Sequence, residues 1–256
     1  MASSQPCEAF GIDIGGSGIK AAPVNTLTGE LLEKRHRIPT PKPGTPDAIT
    51  EVIYQLVRSF GWNGPVGCTF PGPIVEGMVK WITHLDDSWA GMDFVQEMSN
   101  RIGAPVTVIN DADAAGIAEI IHGAGVGRSG TVCFNAFGTG IGSAVFVNGS
   151  LVPNTEFGHL YLAGHHSDVE TYAAARILDL EDLQWSTWVE RVRQYLEHLE
   201  TLISPSLFIL GGGISKDFDI WGPLLEIETE VAVAEMRNNA GIVGAAMVSC
   251  TTMNPL

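Results

Sequence analysis

The sequence predicts an α/β protein of two related domains, and three stretches carry that expectation. Residues 105–125, PVTVINDADAAGIAEIIHGAG, pass from a β-branched strand at 106–109 into a helix at 114–121 that Asp113 can cap. Residues 10–20, FGIDIGGSGIK, read as strand, glycine turn and strand. Residues 131–152, TVCFNAFGTGIGSAVFVNGSLV, repeat that plan, so that Gly16-Ser17-Gly18-Ile19 lines up with Gly138-Thr139-Gly140-Ile141. Repetition of one unit at this distance predicts two domains of common design, each offering a glycine hairpin to a shared cleft.

Composition narrows the function classes. In 256 residues, 45% are hydrophobic and 17% charged, which predicts a globular chain with a substantial core and excludes disorder. The formal charge of −15 argues against general nucleic-acid binding, because a phosphate backbone needs a basic surface. A polyanionic ligand would have to meet a local basic patch. Cys7, Cys68, Cys133 and Cys250 form no CxxC pair, so reduced, mostly buried thiols are expected rather than a disulfide framework or a zinc site. The opening MASSQPCEAF lacks the basic region and apolar core of a signal peptide, and no apolar run reaches membrane-spanning length. A soluble cytoplasmic protein is expected.

The remaining elements follow in order. Residues 21–24 continue the second strand, and 30–38 supply a third after a turn. A proline-rich connector ends at Thr45, a helix cap with Pro46 in the first turn, and Ala48, Ile49, Val52, Ile53, Leu56, Val57 and Phe60 then recur at helical spacing. Residues 64–73, GPVGCTFPGP, read as a short strand ending in a proline–glycine loop, with Thr69 placed to line a cleft. An ordered loop over 79–89 and a helix over 93–102, closed by Gly103, lead back to the strand at 106–109. Helices are expected at 167–180 and 186–203. The second buries Trp188, Val192, Tyr195, Leu199 and Leu202 and leaves Arg191 and Arg193 on a solvated face. An apolar strand at 206–210 runs into a glycine turn at 211–215, and 241–250 is a small-residue helix suited to close backbone packing.

Chemistry concentrates at the strand ends. Asp111 leaves a buried strand where α/β folds open into ligand crevices, which suits a general base, although a polar strand-to-helix turn needs the same residue types. Gly15, Gly16 and Gly18 permit backbone positions that bring amides close to a phosphate, and Asp13 at the mouth of their turn can hold magnesium directly or through water. Strand rather than helix follows these glycines, so the stretch is neither a Rossmann fingerprint nor a Walker loop. Glu156 and His159, three residues apart, can face one polar ligand. They lack the further ligands of a zinc site, and His165-His166 reads as a pair of exposed turn histidines.

Seven stretches in order, GIDIGGSGIK (11–20), TFPG (69–72), INDADAAGIAE (109–119), FGTGIGSA (137–144), LVPNTEFGHL (151–160), LFILGGGISK (207–216) and NNAGIVGAAM (238–247), resemble the ROK sugar kinases over nearly the whole chain. The likeness is greatest to their polyphosphate glucokinase and glucomannokinase branch. It implies a two-domain actin-like (ribonuclease H-like) fold with the active site in the interdomain cleft. Residues 1–112, joined by a C-terminal helix at about 244–256, would form a small N-terminal domain, and 113–243 a larger C-terminal one. The implied reaction is phosphorylation of glucose, with mannose as a second acceptor, at the 6-hydroxyl from polyphosphate or ATP with magnesium. Asp111 would be the base, with Asn110, Glu156, His159, Glu170 and Gly72 at the sugar. Asp13, Gly15, Gly16, Ser17, Gly18, Lys20, Gly138, Thr139, Gly140, Gly212 and Gly213 would frame the donor, and Asp13 the metal. A homodimer is expected, with neither nucleic acid nor membrane as a partner.

Three departures qualify the resemblance. HLYLAGHHS (159–167) lacks the cysteines with which many ROK proteins hold structural zinc, so no zinc is expected. Asp87 stands where the branch commonly has lysine, and Ala136 where threonine is usual, which leaves the polyphosphate contacts less defined than the glucose contacts. An ATP-dependent hexokinase and a non-catalytic sugar-binding protein are the alternatives. A repressor would need a DNA-binding winged helix ahead of Phe10, where nine residues stand. A glycosidase using Asp111 and Glu156 leaves the twin hairpins without a purpose.

Overall fold

The computed structural model describes residues 7–82 and 85–253. The chain forms two compact units, Met1–Ala118 with Asn239–Leu256, and Glu119–Asn238.

In the first unit β1 (Glu8–Gly15) and β2 (Gly18–Asn25) pair antiparallel from Glu8 opposite Asn25 to Gly15 opposite Gly18. The single third strand expected over 30–38 is two short ones, β3 (Glu30–Leu31) and β4 (His36–Ile38), both on β2. Between them Leu32 turns its amide to Pro23 and the polar run 33–35 leaves the ladder. Helix α1 (Pro46–Ser59) is capped by Thr45 and buries Ile49, Val52, Ile53, Leu56 and Val57. Then come the fully buried β5 (Val66–Phe70), the small hairpin β6 (Ile74–Val75) and β7 (Met78–Val79), α2 (Phe94–Ile102) and β8 (Val106–Asn110). The sheet runs β3-β2-β1-β5-β8, with β1, β5 and β8 parallel. The expected loop over 79–89 ends in a 3₁₀ turn, Asp87–Trp89, whose tryptophan is fully buried against Phe70 and Phe94. Residues 83 and 84 of that loop lie outside the described residues.

Helix α3 (Asp111–His122) starts three residues earlier than the sequence suggests, and Asn110 rather than Asp113 caps it: Asn110 Oδ1 accepts from Ala112 N at 2.8 Å and Asp113 N at 3.0 Å. The C-terminal helix, Ala240–Met253, is apolar all round and lies on the sheet. A Cβ at Gly11 or Gly67 would strike the carbonyls of Ile242 or Ala245, and one at Gly244 would strike that of Ala114. This contact packs the C-terminal helix against the first turn of α3 within the first unit. With the C-terminal segment included, the N-terminal unit is the longer of the two.

The second unit holds β9 (Thr131–Phe137), β10 (Ile141–Val147), β11 (Ser150–Val152), α4 (Glu170–Ala173), α5 (Ala175–Leu180), α6 (Trp185–Ile203), β12 (Leu207–Gly211), α7 (Phe218–Trp221) and β13 (Val231–Val233). Its sheet runs β11-β10-β9-β12-β13, with β9, β12 and β13 parallel and the β9–β10 hairpin antiparallel, echoing the first unit. The helix expected over 167–180 breaks at Ala174, which is extended (φ −60°, ψ 153°). The Trp188 indole there takes the carbonyls of Ala173 and Ala174 at 3.1 and 3.2 Å. On α6, Trp188, Val192, Tyr195 and Leu199 are buried, but Leu202 is exposed near the helix end. Arg191 is not simply solvated: it lies 4.6 Å over the Tyr172 ring and bonds the Tyr172 carbonyl and Glu181.

Two cysteines depart from expectation. Cys7 and Cys250 are joined in a disulfide, which ties the first strand's approach to the C-terminal helix. The other two are buried thiols, and burial pushes Cys133 up to about 12 and raises Cys68 as well, so neither is a thiolate nucleophile. No helix among the described residues is long and apolar enough to cross a membrane.

Candidate active site

Each unit presents one set of polar groups at the ends of its parallel strands. In the first, the β1–β2 hairpin turns through Gly16 and Ser17, both exposed. None of Gly15, Gly16 and Gly18 has a left-handed φ, so the turn does not need these glycines for dihedral freedom. A Cβ at Gly18 would lie 2.5 Å from Arg37 Nε, whereas one at Gly16 would meet nothing within 4 Å. Among the described residues nothing crowds the backbone at Gly16, as close approach to a ligand needs. Arg37 Nη2 donates to Ser17 O at 2.7 Å and the Thr40 hydroxyl to Gly15 O, which hold the turn. Asp13 lies opposite Lys20 in register; Lys20 Nζ contacts its Oδ2 at 2.8 Å, and Thr69 Oγ1 donates to its Oδ1 at 3.3 Å. Thr69, fully buried, also accepts from Ile14 N.

The end of β8 supplies the next pair. Asn110 is 4% exposed, and besides capping α3 it donates from Nδ2 to Gly72 O at 3.3 Å, so one side chain joins the helix start to the TFPG loop. Gly72 is buried, and a Cβ there would come within 2.8 Å of Trp81 O. Asp111 is the first residue of α3, half-buried, with Oδ1 accepting from Ala112 N at 2.8 Å. A carboxylate at a helix start is favoured by the dipole and by the amides there, and its orientation is set by backbone.

In the second unit Gly138, Thr139 and Gly140 turn β9 into β10, with Gly138 N bonded to Gly140 O at 2.9 Å. Thr139 is exposed, and a Cβ at Gly138 would meet nothing within 4 Å. The 3₁₀ turn Phe157–His159 is stapled to β10 by Ser143, whose hydroxyl donates to Thr155 O and accepts from Phe157 N. Gly158 admits no side chain, since a Cβ would strike Ile141 O. Glu170, 8% exposed at the start of α4, accepts from Ile141 N at 3.3 Å. Burial holds Glu156 above the ordinary glutamate range; His159 opposes the shift and Glu170 adds to it. His159 Nδ1 lies 2.7 Å from Asp168 Oδ2. Glu156, His159 and Glu170 therefore form one electrostatically coupled group, whereas the sequence had related only the first two by spacing.

Beyond β12, Gly212 has φ 85°, and a Cβ there would strike Phe137 O, so this turn admits only glycine; at Gly213 the space is open. Among other cations, Arg128 is engaged by both Glu230 oxygens at 2.9 and 2.6 Å, and Lys216 is exposed, 3.8 Å from Asp217. Sequence spacing pointed to neither Asp168 nor Arg37. One is nine residues from His159 in an irregular segment, and the other reaches the glycine turn only through strand pairing.

A model of the ROK family matches residues 9–178. A polyphosphate glucokinase of Mycobacterium tuberculosis is 47% identical over 241 residues, 94% of this chain and 90% of that protein. The crystal structure of the inorganic polyphosphate/ATP-glucomannokinase from Arthrobacter sp. strain KM superposes with a TM-score of 0.92 at 45% identity, covering 96% of this chain and 99% of the other. A ROK family glucokinase from Streptomyces griseus, solved with glucose and AMPPNP, gives a TM-score of 0.80 at 25% identity, covering 96% and 100%.

Proposed function

Because this chain belongs to the ROK family, we propose that it transfers the terminal phosphoryl group of inorganic polyphosphate to the 6-hydroxyl of glucose, with ATP as a second donor and mannose as a second acceptor. The observation that carries the reading is Asp111: a half-buried carboxylate at the carboxyl end of a parallel strand, oriented by Ala112 N beside the anchored Asn110.

Asp111 takes the proton as the glucose O6–H bond breaks. O6 forms a bond to the terminal phosphorus, and the bridging P–O bond breaks, releasing polyphosphate one unit shorter, or ADP. Such transfers demand positioning and charge neutralisation more than covalent help. Glu156, His159 and Glu170 bind hexose hydroxyls, and Asn110 holds both Gly72 and the α3 amides beside the base. The hairpin amides at residues 15–18 and 138–140, with the turn at 212–213, receive the donor, and Lys20 offsets phosphate charge.

Magnesium fits the first unit. It takes hard oxygen ligands, retains water and needs only one or two carboxylates alongside substrate phosphates. Asp13 offers one carboxylate, already bonded to Lys20 and Thr69, which suits a hold through water. When bound, the ion would neutralise charge on the donor phosphates.

The test is a donor panel with purified protein in an assay coupled to glucose 6-phosphate. Polyphosphate is expected to serve, and better than ATP; product from ATP alone would make this an ordinary ATP-dependent hexokinase. A cytoplasmic homodimer belongs to the same reading. Light scattering checks the dimer. Free-thiol titration of the denatured protein, isolated without reductant, checks the disulfide: two thiols are expected, from Cys68 and Cys133, and four would mean that Cys7 and Cys250 are not joined.

A further inference from the structure

The Asp168 carboxylate reaches His159 by a route the backbone determines. Leu160 follows His159, Val169 follows Asp168, and Val169 N donates to Leu160 O at 2.8 Å. That bond closes the intervening loop at its base and sets the two preceding side chains side by side. Asp168 is itself held by Thr171, whose amide and hydroxyl both donate to its carbonyl, at 3.1 and 2.7 Å. The 2.7 Å approach of His159 Nδ1 to Asp168 Oδ2 is thus the product of a built loop rather than of two mobile surface side chains.

A carboxylate only accepts hydrogen bonds, so the imidazole partnered with it carries its hydrogen on Nδ1, and in the neutral ring Nε2 is then an acceptor. Without that partner either tautomer is available. The distinction matters because Nε2 offers a ligand hydroxyl an acceptor in one tautomer and a donor in the other. Sugar hydroxyls present protons that three acceptors can take in concert.

We propose that Asp168 is a positioning residue, which fixes the Nδ1–H tautomer and the ring orientation of His159 so that Nε2 accepts from a hexose hydroxyl. This rests on the placement of His159 in the hexose site under the proposed function. The competing arrangement is a metal: one ligand atom each from His159, Asp168 and Glu170 lie within 4.8 Å of one another. Two ligands of a tetrahedral zinc at 2.0–2.1 Å would stand roughly 3.3 Å apart. The observed 2.7 Å is a hydrogen-bond length, and an Nδ1 that carries a hydrogen cannot ligate.

The experiment uses the full chain labelled with ¹⁵N-histidine. A long-range ¹H–¹⁵N correlation spectrum at neutral pH, with His159 assigned through His159→Gln, is expected to show the Nδ1–H tautomer. Asp168→Asn, whose amide oxygen still accepts, is expected to keep that signature, and Asp168→Ala to lose it. In parallel, Asp168→Ala should raise the KM for glucose roughly tenfold while changing kcat less, as loss of an oriented hydrogen-bonding partner does. Asp168→Asn should recover most of the loss. A merely structural role would give equal falls for both variants and no change of tautomer. An Nε2–H ring in the parent, or an unchanged spectrum and KM in Asp168→Ala, would overturn the proposal. So would stoichiometric zinc in the purified protein whose removal shifts the His159 resonances, since the pair would then be a ligand set. If His159→Ala leaves the glucose KM unchanged while the tautomer is as expected, it is the sugar-site placement that fails.

Discussion

Met236 donates its backbone N–H to Glu119 Oε1 at 2.8 Å across most of the second unit's sequence. The other oxygen, Oε2, accepts from Glu235 N and Ala124 N, both at 3.0 Å, and Glu119 is fully buried. One carboxylate therefore ties the end of α3, the turn that follows it and the segment after β13. Both places where the chain passes between units, 118/119 and 238/239, adjoin this cluster. Replacing Glu119 by Gln puts an NH₂ against at least one of three donors. The expected loss is about 1–3 kcal/mol, seen as a melting temperature lower by several degrees. An unchanged melting curve would show that the cluster contributes nothing net.

Asp111→Asn is expected to lower turnover by about two to four powers of ten while leaving glucose affinity within a few-fold. The amide keeps the shape and can still accept from Ala112 N, but it cannot take the hydroxyl proton. Single-turnover rates and glucose binding by calorimetry separate the two effects. Turnover within tenfold of the parent would remove Asp111 as the base.

Glu156→Gln and His159→Ala should weaken apparent glucose affinity by about 1–3 kcal/mol each, with smaller effects on kcat. The first change also has a stability signature. Burial raises the folded-state pKa of Glu156, so the stability this group contributes is complete below its ordinary value of about 4.3 and is lost as pH rises through the raised folded value. Above that value the parent carries a poorly solvated carboxylate that the glutamine variant lacks. Glu156→Gln should therefore match or exceed the parent's melting temperature at neutral pH and lose that advantage in acid. A variant that is less stable at neutral pH would mean that hydrogen bonding, not desolvation, governs this carboxylate.

Donor choice should turn on the cations around the first hairpin. Lys20 stands opposite Asp13 on β1 and opposite Arg37 on β4, and residues directly opposite share a sheet face. Arg37→Ala should raise the KM for polyphosphate several-fold and make it less sensitive to salt, with a smaller effect on magnesium-ATP. Lys20→Ala should harm both donors, because it also releases Asp13. Long-range repulsion from the net charge of −15 is screened beyond about 8 Å at physiological salt, so local cations decide more. Equal effects of Arg37→Ala on both donors across a salt series would remove it from polyphosphate recognition.

The sequence alone determined the pattern of elements and which polar residues stand at the strand ends, because these depend on local chemistry. The alternation of FGIDIGGSGIK and its echo at 131–152 specify two glycine hairpins, and the helical spacing of 48–57 specifies α1 down to its Thr45 cap. A β-branched run ending in Asn-Asp places Asp111 at a strand end whatever surrounds it. What only the tertiary structure decided are relationships between residues distant in the chain. Asn110, besides capping α3, meets the TFPG loop at Gly72, 38 residues away. At the break at Ala174 an indole from α6 bonds the carbonyls of Ala173 and Ala174. Gly18 leaves room for the guanidinium of Arg37, nineteen residues away on a strand that pairs with β2. Cys7 and Cys250, which read as separate thiols, became a bonded pair when the C-terminal helix settled on the first sheet. In each case the deciding term is a hydrogen bond, a steric contact or a covalent bond whose partner local periodicity cannot identify, since only the packed chain brings the two groups within reach.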